Sequence, residues 1–268
     1  MTSALMDHVA ALMREAAAAA ILPRFQKLRA SEHAEKSPGE VVSIADREAE
    51  RIIESGLAGL RPGSRIVGEE AAAANPALLN ALDEGEVWLV DPLDGTANFI
   101  AGTPDFAVMV ALLRQGHTVA AWLLHPLSGR MTIAAQGAGA FIDGVRLRAE
   151  PPPPDARSTR GSVLTRFLPE PMRDRIAANT SRFAAITPGA KCAGIDYPDV
   201  VTGRQDFVLF WRLLPWDHAA GALVVTEAGG HVARLDGTAY APSDPRPGLL
   251  AASSAETWHR VRATLLEA

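Results

Sequence analysis

Apolar and polar positions alternate along the chain with two different periods. Leu5, Val9, Leu12, Met13 and Ala16 share one face of residues 3–29, which predicts an amphipathic helix that Pro23 kinks or ends. Residues 31–40 are polar, with a turn at Ser37-Pro38-Gly39. Val41 and Val42 predict an extended piece leading into a helix over 43–60. Ala45, Ala49, Ile52, Ile53, Leu57 and Leu60 keep the helical period there. A strand over 64–67 runs into Gly68-Glu69-Glu70 and an Ala-rich helix, which Asp83-Glu84-Gly85 ends. Residues 87–90 form a buried strand, stopped by Pro92 because proline has no amide for the ladder.

Three apolar runs follow, over 106–114, 118–125 and 130–136. Their short separators predict hairpins and an antiparallel sheet, with a further hairpin turn at Asp143-Gly144. Four prolines at 151–154 form a stiff connector. They divide an N-terminal half (1–150) from a C-terminal half (155–268). The second half reads as strands near 162–165, 183–186, 206–211 and 249–252. Its helices fall near 171–179, 193–203 and 215–228, with a last one from Ala255. The chain is therefore α/β, with both mixed and antiparallel pairing.

At 268 residues the chain can bury a large core. A net charge of −5 offers no basic surface for nucleic acid. The single Cys192 excludes an internal disulfide and suits a reducing compartment. No leader pattern or membrane-length apolar run is present, so the expected setting is soluble and cytoplasmic.

The chemistry gathers where predicted elements end. Asp91-Pro92-Leu93-Asp94-Gly95-Thr96 places two hard oxygen donors beside backbone amides that can face an anion, a pattern that suits Mg²⁺ and a phosphate ester. Both aspartates also suit a plain turn. Asp46, Glu69 and Asp217 end or open other elements. Asp46 and Asp217 fit ordinary helix caps, and Glu69-Glu70 fits a solvated pair. None of the seven histidines forms a His-x-x-x-His pair, which argues against a zinc hydrolase.

Taken in order, Gly68-Glu69-Glu70, Asp91-Pro92-Leu93-Asp94-Gly95-Thr96-Ala97-Asn98-Phe99 and Trp216-Asp217-His218-Ala219-Ala220-Gly221 resemble the signatures of the inositol monophosphatase family. Thr226-Glu227-Ala228-Gly229-Gly230, Gly137-Ala138-Gly139-Ala140-Phe141 and Lys36-Ser37-Pro38 with Val42-Ser43 and Asp46 extend the likeness over almost the whole chain. The resemblance implies a layered αβαβα sandwich and a Mg²⁺-dependent, lithium-sensitive phosphatase. It implies two or three Mg²⁺ ions, one held by Glu69, Asp91 and the Leu93 carbonyl, another by Asp91, Asp94 and Asp217. Gly95 and Thr96 would face the phosphate with their amides. The Thr96 hydroxyl backed by Asp46, and Glu69, would activate the attacking water. Glu70, Lys36 and His218 would stand behind these groups, although a loop lysine and a packed histidine fit as well. The implied assembly is a homodimer, with residues 106–136 contributing to its interface.

The implied substrate is a small phosphorylated metabolite, a sugar or polyol phosphate such as inositol 1-phosphate. Inositol-preferring members typically carry a glutamate seven residues before the late aspartate, and here that position is Phe210. Arg212 and Lys191 are candidates for holding a second anionic group, and Asp196 for meeting a substrate amine or hydroxyl. Histidinol phosphate, a 3′-phosphoadenosine nucleotide and fructose 1,6-bisphosphate are alternative substrates, and a regulatory binding protein is the alternative class.

Overall fold

The structure, a computed structural model, describes residues 2–37 and 40–267, so Pro38 and Gly39 of the expected turn lie outside the described residues. Helix α1 (Ser3–Ala16) runs on through a π turn (Ala17–Ile21) and a 3₁₀ turn (Leu22–Arg24). It passes Pro23 and ends at Arg24 rather than at residue 29: Phe25 has ψ 126° and leaves the helical region. Strands β1 (His33–Ser37) and β2 (Glu40–Ser43) pair antiparallel. The stretch expected to be a polar loop is thus a hairpin. Most of β1 faces solvent, so no apolar alternation marks it. Helix α2 (Ile44–Leu60) starts at a capping box, with Ser43 Oγ accepting from the Ala45 amide and Asp46 Oδ2 accepting from the Ser43 amide.

A seven-stranded sheet follows. It contains β3 (Arg65–Gly68), β4 (Glu86–Asp94), β5 (Ala107–Arg114), β6 (His117–His125), β7 (Arg130–Ala135), β8 (Gly139–Ile142) and β9 (Val145–Arg146), in that spatial order. Only β3 and β4 run parallel; the others pair antiparallel, as their short separators predict. Helices α3 (Glu69–Ala74) and α4 (Thr96–Ala101) leave the ends of β3 and β4.

The remaining strands make a five-stranded sheet in the order β11-β10-β12-β14-β13. They are β10 (Arg160–Val163), β11 (Ala185–Thr187), β12 (Phe207–Phe210), β13 (His231–Arg234) and β14 (Leu249–Ala252). Four helices accompany them: α5 (Glu170–Asn179), α6 (Ala193–Val201), α7 (Pro215–Glu227) and α8 (Ala255–Arg262).

Strand alternation sorts the core into layers. Trp88 and Val90 of β4 pack with Val9, Met13 and Ile53 of α1 and α2. Val87 and Leu89, on the other face, pack with Tyr197 of α6 and Val224 of α7, and these helices also meet Val208 of β12. Phe207 and Leu209 point the opposite way, to Ile176 of α5 and Trp258 of α8. The result is an αβαβα sandwich. The middle layer draws side chains from both sides of the four prolines, so the two halves share one core. Both faces of β5 and β6 are covered inside this sandwich. What residues 106–136 leave exposed of large apolar groups is Leu127, in the turn after β6.

The middle layer is tight. A Cβ added to Gly221 of α7 would come within 1.9 Å of the Tyr197 ring of α6, so glycine sets the distance between the two helices.

Candidate active site

Strand β4 does not stop at Pro92. It continues to Asp94 with a bulge: Asp91 pairs with Met109 and Asp94 with Ala107, so two residues oppose Val108 alone. Residues three apart on a regular strand point to opposite faces. The extra residue returns Asp94 to the face of Asp91, toward α6 and α7. Gly95 then turns the chain at φ +82° into α4. A Cβ there would meet the Asp105 carbonyl at 2.7 Å, so a side chain would be strained in both backbone and contact.

The Thr96 hydroxyl lies 2.8 Å from Asp46 Oδ1 and 2.9 Å from the Leu93 carbonyl. Asp46 is buried and does two jobs. Its Oδ2 takes the Ser43 amide and hydroxyl, and its Oδ1 reaches Thr96. Burial pushes its carboxyl up to about 6, against the pull of those hydrogen bonds.

Glu69 opens α3 at the end of β3. Lys36 Nζ reaches across from the hairpin to Glu69 Oε1 at 2.5 Å and to Glu70 Oε1 at 2.6 Å. Burial raises the Glu69 carboxyl to about 7, and the Lys36 charge opposes that rise. Burial alone would lower the Lys36 ammonium, but the two glutamates hold it above its ordinary value. Behind this trio stands Glu50, whose carboxylate accepts the Glu70 and Ala71 amides, both at 2.9 Å. It thereby caps the first turn of α3. Glu50 is a site residue that composition and motif reading passed over. It was legible in one respect: Asp46 and Glu50 sit four apart on the buried face of α2, where charged groups are rare.

Asp91 accepts the Leu93 amide at 3.0 Å. Asp94 Oδ2 accepts the Gly194 amide at 2.6 Å and the Cys192 thiol at 3.1 Å, from the start of α6. Asp217 lies in the first turn of α7. Burial first, and then the charges of Glu69 and Asp94, hold the carboxyls of Asp91 and Asp217 well above the ordinary range. Burial raises Asp94 to about 6, with the Gly194 amide opposing. These acids line one cleft of about 680 Å³. Lys36, Leu93, Gly95, Thr96, Lys191 and Arg212 line it as well.

Among the described residues, no three carboxylate, imidazole or thiol groups stand as a finished metal cage. Glu69 is turned to Lys36, and Asp94 to α6. Acids this close resist ionising together, and a cation relieves that repulsion.

Two candidates, Asp196 and Glu70, fall outside the cleft, and a third, His218, lines it in a structural role. Asp196 does not line the cleft. It is buried 2% exposed beneath the wall, where Oδ1 accepts the Ala190 amide, so it holds backbone rather than meeting a substrate. Glu70 also lies off the cleft and steadies Lys36. His218 does line the cleft, but both ring nitrogens are engaged, Nδ1 with the Tyr197 hydroxyl at 3.0 Å and Nε2 with the Arg212 carbonyl at 3.1 Å. Burial lowers its pKa to about 4, so the ring is neutral and positions Arg212. Phe210 packs 4.7 Å from that ring.

Comparison with known proteins follows the same lines. Residues 3–268 match the sequence model of the inositol monophosphatase family. The chain belongs to that family. An inositol-1-monophosphatase of Mesorhizobium japonicum is 37% identical over 207 residues, 75% of either chain. A Nus factor SuhB of Pseudomonas aeruginosa is 36% identical over 217 residues, 76% of either chain. The extragenic suppressor protein SuhB of Bartonella henselae superposes with TM-score 0.84 at 27% identity, over 99% of both chains. The layered architecture is therefore the family's own, and the family is generally metal-dependent.

Proposed function

We propose that this protein is a Mg²⁺-dependent, lithium-sensitive phosphomonoesterase acting on a small sugar or polyol phosphate of the inositol 1-phosphate kind. The observation that carries the reading is the gathering of Glu69, Asp91, Asp94 and Asp217 in one cleft with the Asp46–Thr96 pair. A phosphate dianion would be repelled by these acids unless cations lay between them.

The residues fit Mg²⁺. The donors are hard carboxylate and carbonyl oxygens, and the nearby Cys192 thiol is held protonated by burial and donates to Asp94. Glu69, Asp91 and the Leu93 carbonyl would hold one ion; Asp91, Asp94 and Asp217 another. When bound, Mg²⁺ polarises the phosphoryl oxygens, acidifies water and neutralises the leaving oxygen.

The chain's own groups do the rest. Thr96 donates a hydrogen bond from its hydroxyl to Asp46, keeping its proton, which leaves the oxygen lone pairs free to accept a hydrogen bond from the attacking water. Glu69 is the carboxylate that takes the proton from that water. The Gly95 and Thr96 amides, at the positive φ turn before α4, would donate to the phosphate oxygens. Attack is in line, with no covalent enzyme intermediate.

The test is phosphate release from a panel of inositol, sugar, histidinol and nucleotide phosphates, with Mg²⁺, with EDTA and with Li⁺. Mg²⁺-dependent, Li⁺-sensitive turnover supports the reading. A second reading, a regulatory binding protein, draws on the relatives named Nus factor SuhB. It takes over if a folded, Mg²⁺-binding protein releases no phosphate from any ester. Light scattering after size exclusion reads the expected homodimer directly.

A further inference from the structure

Lys191 stands in the cleft wall at φ +57°, a left-handed conformation that costs a lysine more than it would glycine and that Gln26, Gln115 and Asp143 also adopt, outside the cleft. The backbone on both sides is pinned. Asn98 Nδ2 donates to the Ala190 carbonyl at 2.9 Å, and the Ala190 amide donates to Asp196 at 2.9 Å. On the other side Cys192 and Gly194 are fastened to Asp94. Glycine would take this turn without strain, yet the chain places a lysine there. Its side chain is exposed and, among the described residues, makes no ion pair. Strain kept at a ligand cleft points to a use for the side chain.

Arg212, just after β12, lines the same cleft. Its guanidinium covers the Phe167 ring at 4.2 Å from the centroid and pairs with Glu40 of β2. Phe167 is itself 40% exposed. A neutral polyol sets no charge against Lys191 or Arg212. On the phosphatase reading, the phosphate being cleaved would be served by the Gly95 and Thr96 amides and by the cations the acids would hold. The position where an acid would accept polyol hydroxyls is the buried Phe210.

We propose that Lys191 and Arg212 form a subsite for a second anionic group on the alcohol portion of the substrate. The preferred substrates are then phosphate monoesters bearing a further phosphate or carboxylate, and Glu40 holds Arg212 in place until that group arrives. This rests on the phosphatase reading for its catalytic arm only.

The catalytic arm compares fructose 1,6-bisphosphate with fructose 1-phosphate in Mg²⁺. The expected kcat/KM ratio is tenfold or more in favour of the bisphosphate. That ratio falls toward one in Lys191→Gly and in Arg212→Gln. Lys191→Gly keeps or raises the melting temperature, because glycine accepts the turn, so the loss is not one of folding. A ratio near one in the unaltered protein, or one unchanged in both variants, overturns the proposal. The binding arm titrates fructose 6-phosphate into the metal-free protein in EDTA by calorimetry. Binding weakened at least fivefold by Lys191→Gly supports the subsite; undetectable binding, or equal binding by both proteins, overturns it. If p-nitrophenyl phosphate and both sugar esters go unhydrolysed, the phosphatase reading fails and the binding arm decides the subsite alone.

Discussion

Asp46 Oδ1 lies 2.8 Å from the Thr96 hydroxyl while Asp46 Oδ2 closes the first turn of α2 on Ser43. One side chain thus fixes both a helix start and the rotamer of the group nearest the proposed nucleophile. Thr96→Val removes the hydroxyl at nearly constant volume. It is expected to cut kcat by about 10²–10⁴-fold, the span usual for lost proton-transfer assistance. Thr96→Ser should keep most of the rate. Steady-state kinetics with circular dichroism on both variants checks this, and a Thr96→Val rate within a few-fold of the parent would dismiss the role.

The raised carboxyls set a pH dependence. Glu69 rises from 4.5 to about 7, Asp46 and Asp94 from 3.8 to about 6, and burial holds Asp91 and Asp217 well above their ordinary value. Between the ordinary and folded values the folded protein binds more protons than the unfolded chain, so its stability falls as pH rises. The melting temperature in EDTA should drop from about pH 4 to about pH 8 through this linkage. Excess Mg²⁺ should flatten the slope, since a bound cation replaces the protons. Calorimetric melts across that range read it; a rise with pH in EDTA would contradict it.

Asp217→Asn removes one buried charge without changing shape. It is expected to raise the melting temperature in EDTA at about pH 8 and to lose the stabilisation that Mg²⁺ gives the parent. The same variant should show no measurable turnover. Stabilisation by Mg²⁺ equal to the parent's would remove Asp217 from the ligand set.

Glu50 caps α3 through the Glu70 and Ala71 amides and so aims Glu69. Glu50→Ala leaves both amides without their partner, at a cost of about 1–3 kcal/mol. By analogy with groups that orient metal ligands, Mg²⁺ affinity should weaken about 10–100-fold. Titration of Mg²⁺ against the melting temperature separates the two effects, because the affinity loss persists under conditions where both proteins are fully folded.

Gly221→Ala drives a methyl group into the Tyr197 ring. Overpacking of this kind costs about 1–3 kcal/mol. Denaturant unfolding measures it, and an unchanged midpoint would mean that α6 and α7 separate freely.

Much of this was legible in the chain. Strands buried on both faces, such as β4, β5 and β12, read as continuous apolar runs, and the hairpins declared themselves at Gln115-Gly116 and Asp143-Gly144. The β1–β2 hairpin did not, because a ribbon open to solvent needs no apolar alternation. Strand β13 went unassigned because His231 and Arg234 flank just two small apolar residues. The acids of the cleft were found through motif spacing. Their partners were not: Glu40 meets Arg212, and Asn98 meets Ala190, across distances in sequence that no local pattern encodes. Asp196 was misplaced for the same reason, since a carboxylate facing a backbone amide and one facing a ligand look alike in sequence.

The bulge in β4 makes the stretch from Asp91 to Asp94 a matter of parity. Removing one residue from Pro92-Leu93 would leave both acids on one face of an unbulged strand, but would shorten the strand end and drag Gly95 off its turn. Adding one would set three residues opposite Val108 and disturb the register that now pairs the second acid with Ala107. Length changes are cheap in the proline connector at 151–154, which crosses no such register. In this stretch neither insertion nor deletion has a neutral outcome, so substitutions alone are left to drift.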